Sequence, residues 1–411
     1  MRNGDKMKVY IKTFGCRSNL YDSEIMKNIL GETVKSEEEA DVIIINSCTV
    51  TNFADRDLRQ YINRWQSKDI MLTGCAAYTQ GEDLFKQGKV RAVLGHKYKE
   101  KIDKYLDFKG VELGDFDFVN EKIITGYSKT KAFVKIQEGC DFECAYCIIP
   151  SVRGHSRSLP ESVILEQIST LARNGISEFV LTGINMGSYG KDTGTTLSEL
   201  IEKISKIRGV KRIRLGSLEP SQLDERLIEL TQNGILEKHL HIALQHTSDR
   251  MLRIMKRRNR VKQTLELFEN LAEKGIALGT DFIVGHPGES EEIWQEALEN
   301  FKKYPLTHIH IFRFTPRDGT HSATLKQEVR GDIAKKRAKI LEEIVRENNF
   351  NFRKTHKHPL TVHVENYKNG YFEGYDEYYN KMLISSQKDL KGNWVKIKDY
   401  EIKDVNYAKI Q

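Results

Sequence analysis

The spacing of apolar and polar positions predicts three strands and two helices within the first hundred residues. Residues 9–14, 41–46 and 69–73 are short β-rich runs, and residues 18–30 and 54–65 carry a helical pattern. The run at 41–46 is almost continuously apolar, which is typical of a strand buried on both faces of a parallel sheet. The order βαβαβ therefore predicts an N-terminal parallel α/β domain of the Rossmann or flavodoxin type, which we place at residues 1–125.

The same alternation of strand and helix patterns resumes in the middle of the chain. Helical segments lie between most of six predicted strands, at residues 132–137, 179–182, 212–215, 239–244, 279–284 and 308–314. Repeated βα units of this kind predict a βα barrel, closed or partly open, over residues 126–355. A charged amphipathic helix over residues 331–349 ends this part of the chain.

Beyond residue 356 the pattern changes to short alternating strands. The predicted strands cover residues 360–365, 371–375, 381–385 and 394–402. They indicate a small C-terminal β-barrel over residues 356–411. The expected fold class is therefore α/β, with a parallel N-terminal domain, a central partial βα barrel and a small β-barrel.

Composition narrows the class of protein. Hydrophobic residues make up 39% of the 411 residues, which is too many for a disordered chain. The formal net charge of +7 suits a polyanionic partner, although many ordinary enzymes are as basic. Residues 1–8 lack the apolar core of a signal peptide, and the longest apolar run, 42–45, is too short to span a bilayer. We therefore expect a cytoplasmic protein that does not associate with membranes.

Three of the six cysteines lie together directly after the first strand of the predicted barrel. Cys140, Cys144 and Cys147 have the spacing Cys-X3-Cys-X2-Cys on one loop, so three thiolates can reach one small cluster. A simple electron carrier needs four cysteine ligands, and a cubane with three keeps one iron open for a substrate. A zinc site with His155 as the fourth ligand is the alternative, although zinc prefers paired Cys-X2-Cys spacing.

The other three cysteines, Cys16, Cys48 and Cys75, are far apart in the sequence, but each follows the end of a predicted parallel strand. The carboxyl ends of parallel strands lie at one edge of a sheet, where ligands bind. We therefore expect these thiols to converge on a second cluster. Three unconnected buried cysteines are the alternative, because free cysteine is a common core residue.

The sequence around the first trio resembles the radical S-adenosylmethionine superfamily, whose signature is this triplet. The resemblance implies a [4Fe-4S] cluster on Cys140, Cys144 and Cys147, with S-adenosylmethionine bound to the open iron. It also implies reductive cleavage of the sulfonium into methionine and a 5′-deoxyadenosyl radical.

Three further segments resemble the N-terminal domain of methylthiotransferases: residues 13–19 (TFGCRSN), 45–51 (INSCTVT) and 72–77 (LTGCAA). In that family the three cysteines of these segments hold an auxiliary [4Fe-4S] cluster, whose open iron carries the sulfur delivered to the substrate. The family also ends in a small RNA-binding β-barrel called TRAM.

Local segments separate the branches of this family. Residues 135–141 (KIQEGCD), 148–158 (IIPSVRGHSRS) and 212–220 (RIRLGSLEP) resemble the branch that modifies threonylcarbamoyladenosine. The resemblance implies a 2-methylthio group on the modified adenosine 3′ of a tRNA anticodon, with the anticodon loop and an external electron donor as partners. The alternatives are the branches acting on isopentenyladenosine or on a ribosomal protein aspartate, and a non-catalytic Fe–S protein that binds RNA or carries electrons.

Five residues at predicted strand ends are candidates for binding the cofactor. Gly183 and Asn185 lie where many radical enzymes have a Gly-Gly-Glu stretch, and Gly285 lies in a segment that resembles the family's adenine-binding strand and turn. Glu219 and Gln245 follow strands whose carboxyl ends line the active site of a βα barrel. The alternative for Gly183 and Asn185 is a glycine-rich loop that binds no ligand, and the alternative for Gly285 is a tight turn. Glu219 and Gln245 could instead cap the helices that follow them.

Four arginines are candidates for contacts with tRNA phosphates. Arg257 and Arg258 belong to the densest basic cluster of the chain, and Arg153 and Arg157 follow the first cysteine trio. A solvated basic surface is the ordinary alternative for such a run.

Overall fold

A five-stranded parallel sheet forms the N-terminal part of the computed structural model, which describes residues 7–118, 121–326 and 328–410. The strands lie in chain order across the sheet, so the three that precede cysteines are neighbours. They are β1 (Val9–Thr13), β2 (Val42–Ser47), β3 (Asp69–Gly74), β4 (Ala92–Leu94) and β5 (Gly110–Glu112). The prediction for residues 1–8 lies partly outside the described residues.

Helices cover both faces of this sheet. One face packs on α2 (Asn52–Arg64) and α3 (Cys75–Lys86) through one apolar cluster. The other packs on α1 (Arg17–Leu30) and the 3-10 helix His96–Tyr105 through a second cluster. Residues of β2 are buried throughout because alternate side chains enter these two clusters.

Six parallel strands form the central part, in chain order. Two three-stranded sheets are joined by isolated bridges such as Ile213–Leu236 and Leu218–Ile242. The six strands are β6 (Ala132–Lys135), β9 (Glu178–Thr182), β10 (Arg212–Leu215), β11 (His239–His241), β12 (Ala277–Val284) and β13 (Leu306–Arg313). No pairing joins β6 to β13 among the described residues, so the barrel is partly open. This is one of the two forms that the sequence predicts.

The remaining elements of the central part surround these strands. A small hairpin pairs β7 (Gln137–Glu138) with β8 (Arg157–Ser158). The helices are α4 (Ile149–Arg153), α5 (Glu161–Arg173), α6 (Leu197–Ser205), α7 (Glu225–Gln232), α8 (Asp249–Ile254), α9 (Val261–Glu273), α10 (Glu291–Phe301) and α11 (Gly331–Thr355). Short 3-10 helices cover Met186–Ser188, Pro220–Gln222 and His321–Thr324. Helix α11 is six residues longer than the predicted 331–349, because its apolar positions continue onto the C-terminal sheet through Phe352.

A curled six-stranded sheet ends the chain. Its order is β17-β14-β15-β16-β19-β18. The strands are β14 (Leu360–Lys368), β15 (Tyr371–Tyr375), β16 (Lys381–Ser386), β17 (Trp394–Ile397), β18 (Glu401–Ile402) and β19 (Asn406–Ile410). The predicted strand 394–402 is two strands, and β19 was not predicted, because it forms by parallel pairing with the distant β16.

Buried polar contacts attach this sheet to the central strands. Glu178 of β9 accepts a hydrogen bond from Arg214 of β10 and contacts His363 of β14 at 2.5 Å. Trp394 donates to the Ser177 hydroxyl at 2.8 Å. Within the described ranges, no helix has the length and apolar content needed to cross a bilayer.

Candidate active site

All six cysteines line one cavity of about 530 Å³ between the N-terminal sheet and the central strands. This volume is within the range of small-molecule sites. The cavity also contains four of the five predicted cofactor-binding residues, namely Gly183, Asn185, Glu219 and Gln245. Two distant regions of the sequence therefore build one chamber.

The first trio is held in a loop closed by the β7–β8 hairpin. The Cys140 amide donates to the Gly154 carbonyl at 3.1 Å, and the Cys147 amide donates to the Cys144 carbonyl at 3.0 Å. Gly139 has φ +68°, and a Cβ there would lie 1.8 Å from the His155 carbonyl oxygen, so only glycine fits before Cys140.

The second trio lies at the carboxyl ends of three adjacent strands, as the strand pattern predicts. Ser47 ties β2 to β3, because its hydroxyl donates to the Thr73 carbonyl and accepts from the Ala76 amide at 3.2 Å. Asn19 ties α1 to β2 by donating to the Ser47 carbonyl at 2.8 Å. Gly15 has φ +91°, and a Cβ there would lie 2.7 Å from the Cys48 sulfur.

The sulfur spacing does not suit a single zinc ion. Four ligands at the usual Zn–S distance of about 2.3 Å put tetrahedral sulfurs about 3.8 Å apart. Neither trio has its three sulfurs within 4.8 Å of one another. His155, the predicted fourth zinc ligand, has a 95% exposed side chain and contacts Asp141 rather than the cavity. A cluster of several irons, which spaces its thiolates more widely than one ion does, fits both trios better.

Burial keeps four of these thiols protonated when nothing coordinates them. It raises the pKa of Cys48 and of Cys147 to about 12, and the other cysteines of each trio add to both shifts. Burial also raises the pKa of Cys75 and Cys140. A bound metal centre deprotonates a coordinating thiol outright, so this donor set suits a cluster rather than free thiolate chemistry.

Asn185 presents an unsatisfied polar atom inside the cavity. Its Nδ2 lies 3.6 Å from the Cys140 sulfur, and its backbone amide donates to Gln137 at 2.8 Å. Its Oδ1 is buried and has no hydrogen-bond partner in the part of the chain that the structure describes. Such an acceptor beside the first trio fits a donor group such as the ammonium of a bound amino acid. Gly183, in the same loop, leaves room for the Gln137 side chain, which a Cβ would approach to 3.0 Å.

Glu219 and Arg257 form a bidentate pair in the cavity wall. The two guanidinium Nη atoms donate to the two carboxylate oxygens at 2.7 and 2.6 Å. Arg257 also lies 3.6 Å from the Cys144 sulfur and donates to the Ala243 carbonyl at 2.7 Å. The pair therefore lies directly beside the first trio.

Gln245 adopts a backbone conformation that is rare for its residue type. Its φ is +65°, and backbone hydrogen bonds of 2.9 Å to Asp281 and Ile283 of β12 hold it there. A left-handed conformation in a residue other than glycine costs about 1–3 kcal/mol and is found preferentially at functional sites. Gln245 lines the cavity in this conformation.

Three predicted site residues lie elsewhere than expected. Gly285 is outside the cavity wall, and its φ of +76° serves close packing, because a Cβ there would lie 2.8 Å from Ala334 of α11. Arg153 and Arg257 are buried among carboxylates and are not exposed to a phosphate backbone. Charge runs in a sequence do not reveal which members have buried partners.

The other two predicted arginines keep accessible positions. Arg258 is exposed and lies over the ring of Phe142, 4.3 Å from its centroid, and Phe142 lines the cavity. Arg157 is half-buried and donates to the carbonyls of Arg153, His155 and Phe118. Arg258 is therefore the predicted cation best placed at the rim.

A buried ionic chain between the two cysteine trios was not predicted. Successive contacts join five ionic side chains across the junction of the N-terminal and central sheets: Lys99, Asp22, Lys135, Glu138 and Arg153. Three cations and two anions leave one positive charge without an anionic partner in the chain, which is costly in a buried site. Arg153 ends the chain at the Cys75 sulfur, where the thiolate of a bound cluster would supply the missing negative charge.

A histidine and aspartate cluster on the cavity wall was also not predicted. His241 and His310 both contact Asp281 Oδ1, at 2.9 and 3.2 Å. Desolvation alone would raise the pKa of the half-buried Asp281, but these histidines outweigh it and hold the pKa below its usual range. One available signal was that the adjacent strands β11, β12 and β13 each carry a titratable residue, namely His241, Asp281 and His310.

Comparison with known proteins agrees with this geometry. Residues 134–301 match the Radical SAM superfamily, and residues 8–95 match the uncharacterized protein family UPF0004. A Helicobacter pylori protein, named provisionally as a methylthiotransferase, is 47% identical over 97% of this chain and 98% of its own length. The threonylcarbamoyladenosine tRNA methylthiotransferase MtaB of Aquifex aeolicus is 34% identical over 82% of this chain and 88% of its own.

A solved structure shares the fold at low sequence identity. The radical S-adenosylmethionine methyltransferase TsrM from Kitasatospora setae aligns with a TM-score of 0.58 and 13% identity, over 77% of this chain and 74% of its own. Proteins of the family found here use S-adenosylmethionine and two [4Fe-4S] clusters, which confirms the predicted cofactors. The chain belongs to the radical S-adenosylmethionine methylthiotransferase family.

Proposed function

We propose that this protein adds a 2-methylthio group to N6-threonylcarbamoyladenosine beside the anticodon of tRNA. One observation carries the proposal: two cysteine trios open into the same cavity, and each trio supplies three of the four ligands that a cubane cluster needs. A sulfur carried on one centre and a radical generated at the other can then act on one substrate.

The cavity residues divide this work between the two trios. Cys140, Cys144 and Cys147 would hold one [4Fe-4S] cluster, and Cys16, Cys48 and Cys75 the other. When bound, the first cluster supplies the electron that cleaves S-adenosylmethionine, and the second carries the sulfur that is transferred.

The chain's own side chains orient the cofactor beside the first trio. Asn185 Oδ1, which has no partner among the described residues, would accept a hydrogen bond from the methionine ammonium, and the strained Gln245 and the Glu219–Arg257 pair form the adjoining wall. Fixed polar groups of this kind align a bound cofactor and exclude water from it.

Two features support the tRNA substrate. Relatives named MtaB, from Aquifex aeolicus and Bacillus subtilis, are 34% and 32% identical over most of this chain. The rim also offers Phe142, on which an unstacked base can stack, beneath the exposed Arg258. Carbon 2 of adenine carries an unactivated C–H bond, so a radical route is chemically reasonable.

The proposal includes a location and an electron source. A tRNA substrate supports a cytoplasmic location for the protein. Reductive cleavage of a sulfonium consumes one electron each time, so an external donor must deliver electrons to the cavity.

Mass spectrometry of tRNA nucleosides from a deletion strain tests the proposal. We expect loss of the methylthiolated threonylcarbamoyl nucleoside, accumulation of its precursor, and restoration by the wild-type gene but not by a Cys140→Ala variant. Loss of methylthio-isopentenyladenosine instead would assign the substrate of the Buchnera aphidicola relative, a tRNA-2-methylthio-N(6)-dimethylallyladenosine synthase at 32% identity. Unchanged tRNA would refute the proposal and favour the ribosomal protein substrate or a non-catalytic role.

A further inference from the structure

Arg153 lies where the two cysteine trios meet. It is the last residue of α4, which begins two residues after Cys147 of the first trio. Its side chain is 1% exposed and extends to the second trio, where Nε donates to the Cys75 sulfur at 3.3 Å. One side chain thus connects the loop of one trio to a sulfur atom of the other.

The rest of the guanidinium is fixed by segments that flank both trios. Nη1 donates to both carboxylate oxygens of Glu138, at 3.0 and 2.9 Å, and Glu138 lies two residues before Cys140. Nη2 donates to Asn19 Oδ1 at 2.6 Å, and Asn19 lies three residues after Cys16. Because the guanidinium is a rigid planar fork, these contacts fix the relative positions of all three segments.

The contact with Cys75 has an electrostatic consequence. Hydrogen bonds and charge near the cysteine sulfurs set the reduction potential of an iron–sulfur cluster. A buried cation that donates to a ligand sulfur stabilises the more negative, reduced state of that cluster. Among the described residues, Arg157 by contrast donates only to backbone carbonyls and contacts neither trio.

We propose that Arg153 is a positioning residue that fixes the two cluster sites relative to each other and raises the reduction potential of the cluster bound through Cys75. This inference rests on the proposed function, since it requires a cluster on Cys16, Cys48 and Cys75. The ionic chain behind Arg153 holds the guanidinium in place through Glu138, Lys135 and Asp22.

The test uses the full-length protein with Cys140, Cys144 and Cys147 changed to alanine, so that only the second trio can bind a cluster. The midpoint potential is measured anaerobically by a redox titration followed by electron paramagnetic resonance. Arg153→Gln should shift the midpoint to a more negative value, and Arg153→Lys, which keeps the charge but loses the planar fork, should give a smaller shift. The matched control Arg157→Gln should leave the midpoint unchanged.

Iron content, measured on the same samples, separates the outcomes. An unchanged midpoint in Arg153→Gln at full iron content would overturn the inference and leave the proposed function intact. If Arg153→Gln holds no iron, the midpoint potential of Arg153→Lys is the deciding measurement. A shift to a more negative potential supports the proposed role of Arg153, and a midpoint equal to that of the protein with Arg153 intact overturns it. A parent protein without iron would contradict the proposed function itself.

Discussion

Single residues explain which parts of the site could be predicted. The six cysteines could be predicted as site residues, because three share a short spacing and three follow strand ends. The structure brings all six to one cavity. Arg153 and Arg257 were misplaced because their partners, Glu138 and Glu219, come from other segments of the chain. Gly285 has the backbone conformation that favours glycine, but the sequence does not show that α11 is what approaches it.

Asn185 gives a prediction at the residue scale. Replacing it with leucine removes the buried acceptor Oδ1 at similar volume. Losing one hydrogen bond to a charged group of S-adenosylmethionine costs about 1.5 kcal/mol, or roughly tenfold in affinity. We expect the S-adenosylmethionine concentration for half-maximal release of 5′-deoxyadenosine to rise by about that factor.

The control for this experiment is Asn233→Leu, which changes an exposed asparagine at the end of α7. It should leave the concentration dependence as in the wild type. If Asn185→Leu, at equal iron content, depends on S-adenosylmethionine concentration as the wild type does, the Asn185 side chain does not bind the cofactor.

At the scale of helices and strands, local pattern predicted most elements of the chain. Strands β1, β2 and β3 and the six barrel strands were found because each is a short apolar run between helical segments. Strand β19 was missed, because its pairing with β16 is a long-range contact. The attachment of the C-terminal sheet through Glu178 and His363 was likewise invisible to local pattern.

The turn between β15 and β16 gives a prediction at this scale. Asp376 is buried there, and its Oδ1 accepts from the amides of Tyr378 and Asn380 at 2.9 and 2.8 Å, while Oδ2 has no partner within the described ranges. Burial raises the pKa of Asp376 to about 7. Because this exceeds the value of about 4 in an unfolded chain, the stability contributed by Asp376 is fully present below about pH 4. It is lost as pH rises through 7.

Asp376→Asn keeps the acceptor Oδ1 and removes the charge. The melting temperature of the variant relative to the wild type should therefore be higher at pH 8 than at pH 5. Asp389→Asn, in an exposed loop of the same sheet, should show no such difference between the two pH values. An equal effect of Asp376→Asn at both pH values would mean that Asp376 is already ionised in the folded protein.

At the scale of the whole molecule, the function depends on a cavity that no single part of the chain contains. The N-terminal sheet supplies one trio and the central strands supply the other, and the buried ionic chain joins them. Composition gave only a weak indication of the polyanionic partner, since the net charge of +7 is a small excess of 65 lysines and arginines over 58 aspartates and glutamates.

Arg258 gives a prediction about the polyanionic partner. Arg258→Gln removes an exposed cation at the cavity rim and its contact with Phe142. We expect weaker tRNA binding and a salt dependence whose slope falls by about one unit, as for one lost phosphate contact. Arg226→Gln, which removes an exposed arginine paired with Glu202, should change neither quantity. Identical binding curves for Arg258→Gln and the wild type would remove Arg258 from the interface.

The most direct test of the two-cluster account measures two products in one reaction. Anaerobic wild-type protein, S-adenosylmethionine, a reductant and tRNA from the deletion strain should yield both 5′-deoxyadenosine and the methylthiolated nucleoside. Cys48→Ala should still release 5′-deoxyadenosine but form no methylthiolated nucleoside, whereas Cys144→Ala should form neither. Normal methylthiolation by Cys48→Ala would contradict the account, because sulfur transfer would then not need the second trio.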